Sequence, residues 1–287
     1  MYRADSLPAV LFRRAAATPE EPWLFYRRGW DWSWWPWRSV AERVAAWTES
    51  LSPLAAGTRA AFAAAPSLST IALDLALQGA GLLSVPVPPD LTTADLAAAL
   101  AERRAEVWVN PEGEDLSIHF ATERDGRSVR EAGGAVVDGG RVFTARDLIG
   151  AATTIEELLP GGRRGREILV SCRPLSDPAE RQLLAWAIWS GAALLLEPDR
   201  SAGVATAVWA RPTLFHGTAA EIALLRQAAL RRRRWRPKRL PFGRLHTLLV
   251  DGEPGELPVG ERELWEKRGV RLAAIPVIPV VLPAPAR

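Results

Sequence analysis

Apolar positions along this chain fall into short aliphatic runs, separated by longer stretches in which they recur every three or four residues. The clearest unit is ILVSCRPLSDPAERQLLAWAIWSGAALLLEPD, residues 168–199. Ile168, Leu169 and Val170 form a strand-like run. Asp177 is placed to cap a helix, with Pro178 at its first position and Glu180 where a capping box takes an acid. Residues 183–189 are apolar throughout, as in a helix buried on most sides. Gly191 stops that helix, and residues 192–196 supply a second strand. Strand, crossover helix and strand at this spacing make a βαβ unit, and so a piece of parallel sheet.

The same reading carries along the rest of the chain. Asp5 or Ser6 caps a helix over 7–17, striped by Leu7, Val10, Leu11 and Arg14 and ended by Thr18-Pro19. Residues 23–27 and 31–35 read as strands about Gly29, and 37–51 as a helix with Val40, Val44 and Trp47 on one face. A strand (58–65), a helix (67–78), a strand (82–87), a helix (93–103) and a strand (106–109) complete a first α/β lobe, 1–110. Residues 111–143 read as an irregular glycine-rich connector with short runs at 116–121 and 135–137. A second lobe, 144–275, holds a helix to Leu159, the βαβ unit, a helix (200–209), strands at 211–216 and 245–250, a helix (260–268) and a strand (270–275). A Pro-rich tail, 276–287, follows. The predicted fold class is α/β: three-layer, with mostly parallel sheets and helices on both faces.

Composition narrows the class. With 287 residues, 48% of them hydrophobic and 24% charged, the chain has the make-up of a soluble globular protein able to bury a core. A single cysteine, Cys172, excludes an internal disulfide framework and points to a reducing, cytoplasmic setting. It stands in an apolar run and reads as a small core residue. The first nineteen residues contain Asp5 and no continuous apolar core, so no signal peptide is expected. The apolar stretch 183–196 includes Ser190 and Gly191 and is too short to span a bilayer, so the chain is not expected to be transmembrane. The Trp cluster at 23–37 reads as hairpin and core packing rather than a carbohydrate or base-stacking platform.

RPLSDPAERQ, residues 173–182, resembles the L-P-L-x-H-x-x-E-R segment of long-chain acyl-CoA synthetases in the AMP-forming (adenylating) superfamily. Pro174, Leu175, Ser176, Glu180 and Arg181 match; Asp177 stands where the family has His. SGAALLLEPD looks like the family's A-G-A-T-L-V strand, and RPTLFHGTAAEIALL its R-P-T segment. The opening, RAAATPEEPWLFYRRGWDWSWWPWRSVAERVAAW, is similar to the family's helix, turn, W-x-W hairpin and helix. Gly81, Val85, Pro86 and Pro89 fit its A-G-x-x-x-V-P-x-x-P stretch. The resemblance covers residues 1–275 and implies the fold of the synthetases' N-terminal domain.

It also implies a machinery that these residues do not supply. Where the family carries the phosphate loop Y-T-S-G-T-T-G-x-P-K-G, this chain reads HFATERDGRSVREAGGAVV. Such a loop turns backbone N–H groups and hydroxyls toward ATP phosphates, which Glu123, Asp125 and Glu131 would repel. Asp251, Gly252 and Glu253 hold the place of the nucleotide-edge loop S-G-G-A-P-L in degenerate form. Where an active member reads G-Y-G-x-T-E, with groups for adenine, phosphate and magnesium, the text is IPVIPVVLPAPAR. The catalytic Lys of the family stands on a C-terminal domain that these residues are not expected to include. The expectation is therefore a truncated, degenerate relative without catalytic residues, cofactor or metal. It would bind a protein partner, either an intact synthetase or a second copy, or an acyl-type ligand near Ser176, Asp177, Arg181, His216 and Gly217. Two alternatives remain open: a ligase active alone or with a C-terminal domain supplied in trans, and a basic anion-binding module.

The last alternative rests on charge. The net charge of +3 hides eight basic residues and no acid in 226–239. Arg231, Arg232, Arg233, Arg234, Arg236, Lys238 and Arg239 read as a solvated loop or helix end, as a patch for anionic membrane or acyl-CoA phosphates, or as a nucleic-acid contact with Trp235 to stack on a base. Weak polyanion binding is expected. His119, His216 and His246 stand alone near strand ends and read as structural, and no Cys/His cluster has metal spacing.

Overall fold

Ser6 caps the first helix of the computed structural model, its Oγ accepting from the Ala9 N–H at 3.3 Å. The structure describes residues 6–28, 31–120, 135–138, 141–159, 167–235, 244–252 and 254–275. In chain order they form α1 (Leu7–Ala17), β1 (Pro22–Arg28), β2 (Asp31–Pro36), α2 (Trp37–Leu51), β3 (Arg59–Ala63), α3 (Leu68–Gly79), β4 (Leu83–Val87), α4 (Thr93–Glu102), β5 (Val107–Glu112) and β6 (Asp115–Phe120). Then follow β7 (Ala135–Asp138), β8 (Arg141–Phe143), α5 (Ala145–Leu158), β9 (Ile168–Ser171), α6 (Pro178–Ser190), β10 (Ala193–Leu196), α7 (Arg200–Ala210), β11 (Leu214–Gly217), α8 (Ala219–Trp235), β12 (Thr247–Val250), α9 (Val259–Glu266) and β13 (Arg271–Ala274).

Helix starts follow from side chains that satisfy the otherwise orphaned first N–H groups. Ser67 caps α3 and Thr92 caps α4, and Thr144 with Asp147 forms a full capping box on α5. Asp177 caps α6 as expected, accepting from Ala179, and Gly191 ends it in the left-handed conformation at φ 81°. The acid expected to complete a capping box there does something else. Glu180 is buried, and its Oε1 accepts a hydrogen bond from the Ser171 hydroxyl.

The strands assemble into two sheets. One has the order β13-β12-β11-β9-β10-β1-β2, the other β6-β5-β3-β4-β7-β8. All pairings are parallel except the hairpins β1–β2, β5–β6 and β7–β8. The N-terminal hairpin thus lies in the sheet otherwise built from residues 168–274, with Leu24 paired to Leu194. The β7–β8 hairpin lies beside β4 in the sheet otherwise built from residues 59–120.

Strand alternation places the layers. Leu169, Leu194, Leu196, Leu214 and Leu249 face a core that also takes Ala60, Phe62, Val107 and Val109 from the second sheet. Helices α1, α2, α3, α5 and α6 fill the space between. The alternate residues Val170, Leu195, Phe215 and Leu248 face outward onto α7, α8 and α9. Ala61, Leu83 and Val85 face Ala105 and Leu100 beyond the other sheet. Each sheet is a three-layer arrangement with helices on both faces, and the two share their middle helical layer.

One segment departs from the sequence reading. β5 does not stop at Val109; it runs through Pro111, which pairs with Leu116, and turns at Gly113 (φ 67°) into β6. Pro111 donates no ladder hydrogen bond, and it sits where that is tolerated, in a hairpin at the sheet edge. Among the described residues no helix is long and apolar enough to cross a membrane.

Candidate functional site

In an open parallel sheet, ligands bind outside the carboxyl ends of the strands, where neighbouring strands send their connections to opposite faces. Here that point lies between β9 and β11. β9 leads into α6, whose Leu183, Trp186 and Ile188 lie in the core between the sheets, while β11 leads into α8, whose Ile222 and Leu225 lie beyond the outer face.

At this point the chain places an ionic network of its own. Arg173 follows β9, and its side chain is only 4% exposed. Its Nη1 donates to Asp177 Oδ2 at 3.0 Å and Asp251 Oδ2 at 2.9 Å, and its Nη2 donates to Glu221 Oε2 at 2.8 Å. Asp177 comes from the start of α6, Glu221 from the first turn of α8 and Asp251 from the end of β12. Burial by itself would favour the neutral guanidine. Hydrogen bonds to Glu221 and Asp251 outweigh it and raise the Arg173 pKa above its already high ordinary value. Glu221 is fixed further by the Thr218 N–H at 2.8 Å and the Thr218 hydroxyl at 3.1 Å. Three acids around one base leave an acidic surplus, and the network opens to solvent at Asp251.

Glycines shape this edge. A Cβ on Gly217 would meet Phe215 Cε1 at 2.8 Å and Glu221 at 3.2 Å, so only glycine lets β11 pass this close to the α8 carboxylate. Gly252 has φ 98° and turns the chain away after Asp251. Glu253 lies outside the described residues.

Two further clusters lie behind the edge. Glu180 Oε2 is 3.5 Å from His216 Nδ1, and neither ring nitrogen of this buried histidine has a hydrogen-bond partner among the described residues. Arg181, 3% exposed, turns toward the second sheet. There its Nη2 donates to Asp74 Oδ1, which also accepts from the Ser84 hydroxyl, while Gln78 donates to Asp74 Oδ2 at 2.9 Å. Arg181 Nη1 also donates to the Leu175 carbonyl at 3.4 Å, and the Leu175 N–H bonds to the Ala64 carbonyl at 2.9 Å. The segment 173–181 therefore ties the two sheets together.

The five residues expected around an acyl ligand occupy different environments. Asp177 belongs to the Arg173 network, and Arg181 to the inter-sheet cluster. His216 sits beside Glu180, Gly217 against Phe215 and Glu221, and Ser176 is half-buried. None of them lines the cavity of about 530 Å³ that opens near β1, β2 and β10. Arg173, Glu180 and Glu221 were not singled out from sequence as site residues. The one available signal was that polar side chains directly follow the strand ends at Ser171 and Gly217.

The other histidines stand away from the Arg173 network. His119 lies in β6, exposed and paired with Trp108. His246 Nε2 is 2.8 Å from Glu167 Oε2, at the opposite, N-terminal end of the sheet. Burial pushes the Glu167 carboxyl up, but hydrogen bonds with His246 and Thr213 outweigh it and hold its pKa below the ordinary glutamate value. A depressed folded-state pKa gives stability that is present above the unfolded value and lost as pH falls through the folded one. Glu167→Gln is therefore expected to flatten the acid limb: between about pH 5 and pH 3 the variant should lose less thermal stability than the wild type, as read by circular dichroism melts.

In the basic segment, α8 continues to Trp235, so Arg231 to Arg234 form a helix end. Arg231 is exposed; Arg236, Lys238 and Arg239 lie outside the described residues. Arg226 pairs with the buried Glu261 at 2.8 Å. Among the described residues no group of three His, Cys, Asp or Glu side chains is arranged to hold a metal ion.

No protein-family model matches the sequence, and a search of curated proteins finds no match. Solved structures do match. IdnL1 superposes with a TM-score of 0.76 at 22% identity, covering 95% of this chain and 60% of that one. The N-terminal domain of FACL13 from Mycobacterium tuberculosis gives 0.72 at 14% identity, over 94% of this chain and 75% of that one. A Mycobacterium tuberculosis fatty acyl CoA synthetase gives 0.71 at 15% identity, over 93% and 58%. The chain thus has the fold of the N-terminal domains of adenylate-forming acyl-CoA synthetases. It spans about three fifths of the length of IdnL1 and of the fatty acyl CoA synthetase.

Proposed function

We propose that this protein is a non-catalytic relative of the acyl-CoA synthetases, acting in the cytoplasm by binding rather than by adenylation. Its ligand is an intact synthetase, a second copy of the chain or an acyl-type molecule. The observation that carries the reading is the Arg173 network in the crevice between β9 and β11. Magnesium-ATP would bring phosphates to this edge. They would face Asp177, Glu221 and Asp251, while the cation able to attract them is already engaged on three sides. Among the described residues, the side chains at this edge do not fit the nucleotide's phosphates, and the sequence offers no phosphate loop in compensation.

Titration calorimetry with magnesium and ATP tests this. The expected result is no heat beyond dilution up to about 1 mM nucleotide, the weak end of specific binding. A saturable, magnesium-dependent isotherm would restore the ligase reading.

A further inference from the structure

The cavity of about 530 Å³ lies at the same edge of the seven-stranded sheet but beyond β10 and β1, and it shares no lining residue with the Arg173 network. Its volume is in the range of small-molecule sites. Tyr26, Trp35, Leu68, Leu196 and Pro198 give it an apolar wall, and Arg43 provides a cation. The register of the hairpin explains the aromatic part. Leu24 pairs with Trp35 and Tyr26 with Ser33, so Tyr26 and Trp35 are diagonal neighbours on one face. Their rings stack with centroids 5.9 Å apart at 24°.

Arg43 is held in place by its surroundings. Its guanidinium lies 5.9 Å from the Trp35 ring centroid and 5.4 Å from that of Trp47, and Nη1 donates to the Gly113 carbonyl at 3.3 Å. Its acidic neighbour is Glu114, 3.7 Å away with a side chain 92% exposed, a solvent-screened pair that leaves most of the positive charge in force. Arg27 adds an exposed second cation at the rim. The first turn of α3, Ser67 to Ser69, closes the remaining side.

We infer that this cavity is a binding site for a planar aromatic organic anion, its ring lying along Tyr26 and Trp35 and its single negative group meeting Arg43. A flat apolar wall selects the ring, and a cation fixed beside that wall selects the charge. A neutral ring of equal size would forgo the second interaction, and a fully hydrated inorganic anion the first. The inference stands apart from the fate of ATP at the other end of the edge, so either can fail alone.

The probe is 1-naphthoate, followed by titration calorimetry on the full chain, with 1-naphthalenemethanol as the uncharged control. Naphthoate is expected to bind at least tenfold more tightly than the alcohol, with an affinity that falls as salt rises. Arg43→Gln should remove most of that difference. Leu68→Trp, which fills the cavity and leaves Arg43 in place, should abolish naphthoate binding with the circular dichroism spectrum retained. Lys267→Gln, on the exposed surface outside the cavity, should leave it unchanged. No binding by the wild type, equal binding of the alcohol, or unaltered binding by both cavity variants would overturn the inference.

Discussion

Arg181→Met is expected to cost about 3–5 kcal/mol, the range for removing one partner of a fully buried ion pair. At this size that is a fall of roughly 10 °C in melting temperature. Asp74, 2% exposed, would keep its hydrogen bonds from Ser84 and Gln78 but lose the cation that offsets its desolvation. Asp74→Leu should cost a similar amount, for the mirror-image reason. Combining the two should cost clearly less than their sum, because the double variant buries no lone charge. A double-mutant cycle by thermal and denaturant melts reads the coupling directly. Additive losses would mean that the two charges do not need each other.

Arg173→Met is the second large effect, about 2–4 kcal/mol at neutral pH. It is set lower because the network opens to water at Asp251, whose side chain is 47% exposed. The variant leaves Asp177, Glu221 and Asp251 converging with no cation between them. Their mutual repulsion, softened by water mainly at Asp251, carries the loss. The deficit relative to wild type is expected to shrink as added salt screens that repulsion, measured as the difference in melting temperature. A deficit independent of salt would point to lost packing of the arginine stem instead.

Much of the fold was legible because its signals are local. The run 168–199 carries its cap, its proline and its stop glycine in sequence, and α6 follows them from Pro178 to Ser190. Sheet membership was less legible. A strand's periodicity gives its faces but not its neighbour, and nothing in residues 22–28 announces that β1 will lie beside β10. Pro111 and Gly113 read as breakers, whereas an edge hairpin accepts both. The candidate site was harder still. Arg173 draws partners from three separate segments, and Glu180, at a capping-box position in sequence, takes a hydrogen bond from Ser171 instead. Ionic networks of this kind are set by strand order, which local pattern does not encode.

The position of β1 governs the order in which the molecule can be built. The hairpin leaves the ribosome before residues 193–196, carrying Leu24 and Trp35 on one face and Phe25 and Trp34 on the other. Its parallel neighbour, Leu194 to Leu196, is made far later. Until then the aromatic ribbon has an unpaired edge, and the larger sheet cannot close. Such long-range pairing slows folding and prolongs the exposure of strand edges in the nascent chain.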